Sequence, residues 1–217
     1  MIKHTLALAL LAGLSLGAHA QAALNTNLIV NGDAEGDVAG WTGFDGYSMF
    51  QSVDYGPNWV QPTQPGPVDR GSKMFTGLTA QAAGFQTIAL GSLAGQPLHY
   101  ELSGYLGGWA EQGDNALLYV SFLDADGNEI DHASIGPVTP ADRGNQTGLF
   151  LRTASGALPS QTSQLMFSLS MSRLGGGDND GYADNLSFVV SSVPEGSTLA
   201  YALAGLGLLG AALRRRR

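Results

Sequence analysis

The chain contains no cysteine among its 217 residues. That excludes a disulfide framework and any thiolate metal site. Cations are also scarce. Between Leu24 and Ser192 there are five, Arg70, Lys73, Arg143, Arg152 and Arg173, against seventeen Asp or Glu, a formal −12. A surface this acidic argues against nucleic acid, whose binding rests on Lys and Arg at phosphates. It is compatible with calcium and with neutral polymers. The same region has only two histidines, His99 and His132, neither in an H-E-x-x-H pattern, and no G-x-S-x-G elbow. A glycosidase's carboxylate pair could be drawn from so many acids, but no spacing singles one out. These absences speak against catalysis, and a non-enzymatic role is expected.

What is present divides the chain into three. The first 20 residues have a basic start at Lys3, an apolar stretch from Leu6 to Leu16 and then Ala18-His19-Ala20. This is the pattern of a secretory signal peptide, cut most simply after Ala20, with Ala23 as a second candidate. At the other end an apolar run of seventeen residues, Ser197 to Leu213, stops at four arginines, Arg214 to Arg217. A spanning helix needs roughly 17–25 apolar residues, and a basic terminus suits a cytoplasmic stop. A single transmembrane helix over 197–213 is expected, since a core helix would not end in RRRR.

Just before that helix stands Val193-Pro194-Glu195-Gly196-Ser197-Thr198-Leu199. Together, motif 193–199, helix 197–213 and basic tail 214–217 resemble the PEP-CTERM sorting signal of Gram-negative bacteria. Gly196 replaces the usual second proline. The resemblance implies recognition by a membrane exosortase at Val193, Pro194 and Glu195, and delivery to the cell surface or extracellular matrix. Proteins of this kind stand beside exopolysaccharide and biofilm systems.

Residues 24–192 make one domain, long enough for a real core. No window shows a helical stripe, and there is no repeat. Strand-length segments recur between Gly- and Pro-rich turns, the pattern of an all-β sandwich. Strands are expected around Leu28–Val30, Trp41–Phe44, Tyr47–Val53, Lys73–Thr76, Phe85–Leu90, Leu98–Tyr105, Ala116–Leu123, Gly148–Thr153, Leu165–Met171 and Tyr182–Val190. Leu118, Val120 and Phe122 alternate on one face, as do the odd positions from Leu165 to Met171. Asp124-Ala125-Asp126-Gly127-Asn128 reads as a hairpin turn. It opens like an EF-hand loop, but Glu129 stands where glycine is required. Gly56–Arg70, with four prolines, reads as a long exposed loop of the kind that binds ligands.

Two segments look like bookends, Asn27-Leu28-Ile29-Val30-Asn31-Gly32-Asp33-Ala34-Glu35 and Gly181-Tyr182-Ala183-Asp184-Asn185-Leu186-Ser187-Phe188. They resemble the galactose-binding-like jelly roll of many carbohydrate-binding modules, with Ala34 where the family commonly has Phe. The resemblance implies that the two segments lie side by side and hold a structural calcium through Asp33, Glu35 and Asp184. Against this stands a plainer reading, in which Glu35 caps backbone donors and Asp184 opens a strand. Asp178 and Asp180, in a glycine-rich stretch, are a second cation candidate or simply solvated. Trp59 and Trp109, each beside amides, are candidates for stacking on sugar rings, or ordinary packing residues. Trp41 is expected in the core. The function expected is an exported matrix or surface protein binding a glycan or exopolysaccharide. The alternative is a purely structural matrix protein without a small ligand.

Overall fold

A computed structural model describes residues 22–193. The signal peptide, Pro194, Glu195, the apolar run and the basic tail lie outside those residues. Among the described residues no helix is long and apolar enough to cross a membrane.

The described chain is all β apart from one 3-10 turn at Gly91–Leu93. Ten strands follow in order: β1 Thr42–Gly43, β2 Gln51–Asp54, β3 Lys73–Gly77, β4 Gln81–Ala89, β5 Leu98–Gly108, β6 Asn115–Leu123, β7 Glu129–Ile135, β8 Gly148–Leu158, β9 Gln164–Ser172 and β10 Asn179–Ser192. They form two antiparallel five-stranded sheets, β1-β4-β9-β6-β7 and β2-β3-β10-β5-β8. Alternation sends Leu118, Val120 and Phe122 of β6, and Leu165, Phe167, Leu169 and Met171 of β9, into the space between the sheets. There they meet Leu102 and Leu106 of β5 and Phe188 of β10. Trp41 joins this core, edge-on to Phe50 at 5.3 Å and to Phe75 at 6.0 Å.

The opening segment does lie beside β10. The side-chain amide of Asn27 donates to Leu186 O at 3.0 Å, and its oxygen accepts from Phe188 N at 2.9 Å. Leu186 N donates to Gly32 O at 2.9 Å. A Cβ at residue 32 would stand 2.2 Å from Leu186 O, so only glycine permits this approach.

The segment does not, however, form the strand expected at Leu28–Val30. Leu28 N still donates to Phe188 O at 2.8 Å, but side chains satisfy the next two residues: Val30 N and O pair with the Gln86 amide at 2.8 and 3.1 Å, and Ile29 N with Asn27 Oδ1 at 3.0 Å. Positive φ angles at Asn25, Asn31, Ala34 and Asp37 turn the chain repeatedly. The strand expected at Trp41–Phe44 shrinks to Thr42–Gly43, and the one at Tyr47–Val53 begins only at Gln51. Strand β7 had no alternation to reveal it, because it is a sheet edge where only Ala133 and Ile135 are buried. The hairpin before it is as expected. Asp124 Oδ1 accepts from Asp126 N and Asn128 N at 2.9 Å each, and Gly127 adopts φ +83°.

Candidate functional site

The outer face of the β2-β3-β10-β5-β8 sheet carries a second apolar cluster. On β3, Phe75 points into the core, so its neighbour Met74 points out. On β10, Ala183 points in, so Tyr182 and Asp184 point out. The loop that follows β2 folds over this face and adds Val60, and β8 adds Leu149. Val60, Met74 and Tyr182 have no exposed surface at all. Fully burying an apolar side chain is worth about 1.5–3 kcal/mol, enough together to fix an otherwise irregular loop.

Arg70 organises that loop from within. Its guanidinium donates to Pro67 O, Gln61 O and Gln64 O at 3.0, 3.3 and 3.1 Å, and it lies 5.1 Å over the Tyr55 ring. Leu149 N donates to Pro65 O at 2.9 Å, tying the loop to β8.

Trp59 and Trp109 both pack against this cluster, and both are only half-buried. Trp59 meets Tyr182 edge-on at 6.3 Å. Trp109 follows β5 directly, in a turn locked by the buried Arg143. Its guanidinium donates to Ala110 O, Val138 O and Trp109 O at 3.1–3.2 Å and closely to Gln112 O. Each tryptophan borders its own cleft. One, of about 440 Å³, lies between Trp59, Tyr55, Asp54 and Lys73. The other, of about 210 Å³, lies between Trp109, Gln112, Asp178 and Asp180. The exposed Asn58 borders both clefts.

The acids singled out by sequence occupy two places. Asp178 is exposed on the loop before β10, but Asp180 is not a solvated loop residue. It lies within β10, 7 % exposed, and its Oδ1 accepts the Tyr182 hydroxyl at 2.6 Å. Burial raises its pKa, and burial with Asp180 raises that of Tyr182. Asp114 beneath them is fully buried and accepts from Leu174 N, Gly175 N and Asp180 N at 2.6–3.0 Å.

Asp33 and Glu35 border a third cleft of about 430 Å³ with Asn31, Asp69 and Asn185. Glu35 Oε1 accepts from Ser72 N at 2.7 Å and Lys73 N at 2.8 Å. Asp184, with no exposed surface, accepts the Tyr55 hydroxyl at 2.5 Å on one oxygen and Asn185 N at 2.7 Å on the other. Burial drives its pKa up to about 7, and Asp33 and Glu35 push the same way. Glu35 thus caps backbone donors through Oε1, and both Asp184 oxygens accept hydrogen bonds. Among the described residues no three His, Cys, Asp or Glu side chains are grouped to hold a metal. Glu35 and Asp184 pin the ends of the 55–72 loop to the bookends, while Asp33 accepts, among the described residues, only from Glu35 N at 3.5 Å.

The two histidines are not brought together. His132 of β7 stacks on Tyr119, and His99 of β5 belongs to the other sheet. Tyr55, Tyr182 and the burial of Asp180 had no local signal. They follow only from the register of β10 and the path of the loop.

No protein-family model and no curated protein matches the chain. Solved structures do. The enzymatically active domain of bacteriophage CBA120 tailspike protein 4 is 16% identical with a TM-score of 0.52, covering 76% of this chain and 21% of that one. Family 16 Carbohydrate Binding Module-2 is 24% identical with a TM-score of 0.49, covering 75% and 99%. The CBM22-1 xylan-binding domain of Paenibacillus barcinonensis Xyn10C is 16% identical with a TM-score of 0.47, covering 79% and 99%. This chain thus spans about a fifth of the tailspike's length. At such identities the likeness is one of fold, and fold alone does not assign function.

Proposed function

We propose that the protein is a non-catalytic glycan-binding β-sandwich whose ligand lies across the outer face of the β2-β3-β10-β5-β8 sheet. One observation carries the reading. Two tryptophans, half-buried on a rigid apolar base, each border a polar cleft, with Asn58 between them. An aromatic face covers the C–H side of a pyranose, while amides and carboxylates meet its hydroxyls. Such a mix of apolar wall and few polar groups is what orients a small ligand. The sequence supports the rest of the proposal: export by the signal peptide, and exosortase processing at Val193-Pro194-Glu195 after membrane insertion through 197–213. Surface or matrix exopolysaccharide is then the natural ligand.

Affinity electrophoresis through gels holding neutral, acidic and amino polysaccharides tests this. At least one polymer is expected to retard the protein. Trp59→Ala and Trp109→Ala should each weaken that retardation about tenfold or more, as loss of a central aromatic contact does, with the unfolding midpoint shifted little. Retardation by none of the polymers, or retardation indifferent to both substitutions, would overturn the proposal.

A further inference from the structure

We infer that the smaller cleft, beside Trp109, is a subsite for a cationic amino sugar, a 2-amino-2-deoxy pyranose carrying an unacetylated ammonium group. The inference rests on the glycan-binding reading and names the chemistry that one part of that face selects.

The cleft's charge is of one sign. Asp178 and Asp180 border it with Asn58 and Gln112, and no Lys or Arg side chain lines it. Arg143 is close enough to be felt electrostatically by Asp180, yet its N–H groups go to four backbone carbonyls, those of Ala110, Val138, Trp109 and Gln112. It makes no ion pair with either aspartate among the described residues. Asp180 is more than nine-tenths buried. Its Oδ1 is taken by Tyr182, and no donor among the described residues reaches its other oxygen. A buried carboxylate without a cation partner is costly. A ligand cation would offset that cost.

The geometry selects which cation. No group of three ligating side chains exists among the described residues, and calcium takes six to eight oxygens. Two carboxylates suit an ammonium group, which has three N–H donors and makes charge-assisted bonds. Trp109 in the same wall adds a stacking face and a cation–π contact. At about 210 Å³ the cleft is small against the ~300–1,000 Å³ of sites that enclose a drug-sized ligand, so it takes one ring of a chain. The rest of that chain would run past Asn58 toward Trp59, where the larger cleft is balanced by Asp54 and Lys73.

The test is calorimetric binding of three oligosaccharides of equal length to the purified full chain at mildly acidic pH. They are a fully deacetylated glucosamine oligomer, its N-acetylated counterpart and a neutral xylo-oligomer. The deacetylated chain should bind about tenfold more tightly than either other, and Asp178→Asn should remove most of that preference. A doubly substituted control, Asp45→Asn with Asp126→Asn, lowers the molecule's negative charge away from the cleft and should keep the preference. Equal binding of all three oligomers would overturn the amino-sugar inference while leaving glycan binding intact. A control variant that loses as much as Asp178→Asn would also overturn it, showing attraction by the overall field and not by the cleft. Binding of none, together with no retardation by any polysaccharide, would remove the glycan reading as well.

Discussion

The most informative single residue is Asp184. Its carboxyl has no exposed surface, and its folded pKa stands near 7 chiefly because burial disfavours the charged form. The bonds from Tyr55 and Asn185 pull it down without cancelling that cost. In the unfolded chain an aspartate titrates near ~3.9. The folded protein therefore holds an extra proton between about pH 4 and pH 7, so this group's stabilising contribution is full below ~4 and lost as pH rises to about 7. Asp184→Asn cannot ionise, so its stability should lack that fall. Denaturant unfolding at a series of pH values should show wild type losing ground to the variant between pH ~4.5 and ~8. The total is on the order of 2–4 kcal/mol. Asp180 is raised for the same reason but is present in both proteins, so the difference isolates Asp184. Parallel curves would mean that the carboxyl is solvated when folded.

Among the elements, the loop from Tyr55 to Ser72 decides what the outer face can do, and one side chain organises it from within. Arg70 joins Gln61, Gln64 and Pro67 into a single body and covers Tyr55. Replacing it with alanine removes three bonds to carbonyls and the stacking contact, each worth about 1 kcal/mol net. The two-sheet core does not include this loop, so the loss should be local. Arg70→Ala should be cleaved several-fold faster by protease within residues 57–68, with little change in the global unfolding midpoint. Unchanged cleavage would show that Val60 and Trp59 hold the loop unaided. The same contrast explains which elements the sequence revealed. Strands β6 and β9 are central and buried on one side, so their alternation is visible in the residues. The opening segment is held by Asn27 and Gln86 side chains, and β7 is a half-exposed edge, so neither carries a periodic signal. Trp59 and Trp109 could be picked out as aromatics among amides. That they share one base with Tyr182 depends on long-range register, which no local pattern encodes.

For the whole molecule, the imbalance of charge is larger than a count suggests, because the few cations are used elsewhere. Arg70, Arg143 and Arg173 all direct their guanidinium groups at backbone carbonyls. Only Lys73 with Asp37 at 2.5 Å and Arg152 with Asp142 at 3.9 Å form ion pairs with Asp or Glu that do not require a charged histidine, among the described residues. Both are at the surface, where such pairs are worth ~0–1 kcal/mol. Most of the seventeen acids between Leu24 and Ser192 therefore repel one another across the surface, a term that opposes the compact state. Added salt shortens the screening length from about 30 Å at 0.01 M to about 10 Å at 0.1 M. It should relieve repulsion more than it weakens those two pairs. The thermal midpoint at pH 8 should rise by roughly 2–4 °C between 10 and 300 mM sodium chloride, as about 1 kcal/mol does for a domain of this size. A midpoint that falls instead would mean that the surface pairs outweigh the repulsion. A rise would fit a domain that leaves its carboxylates unpaired, and so available to a cationic or hydroxyl-rich polymer outside it.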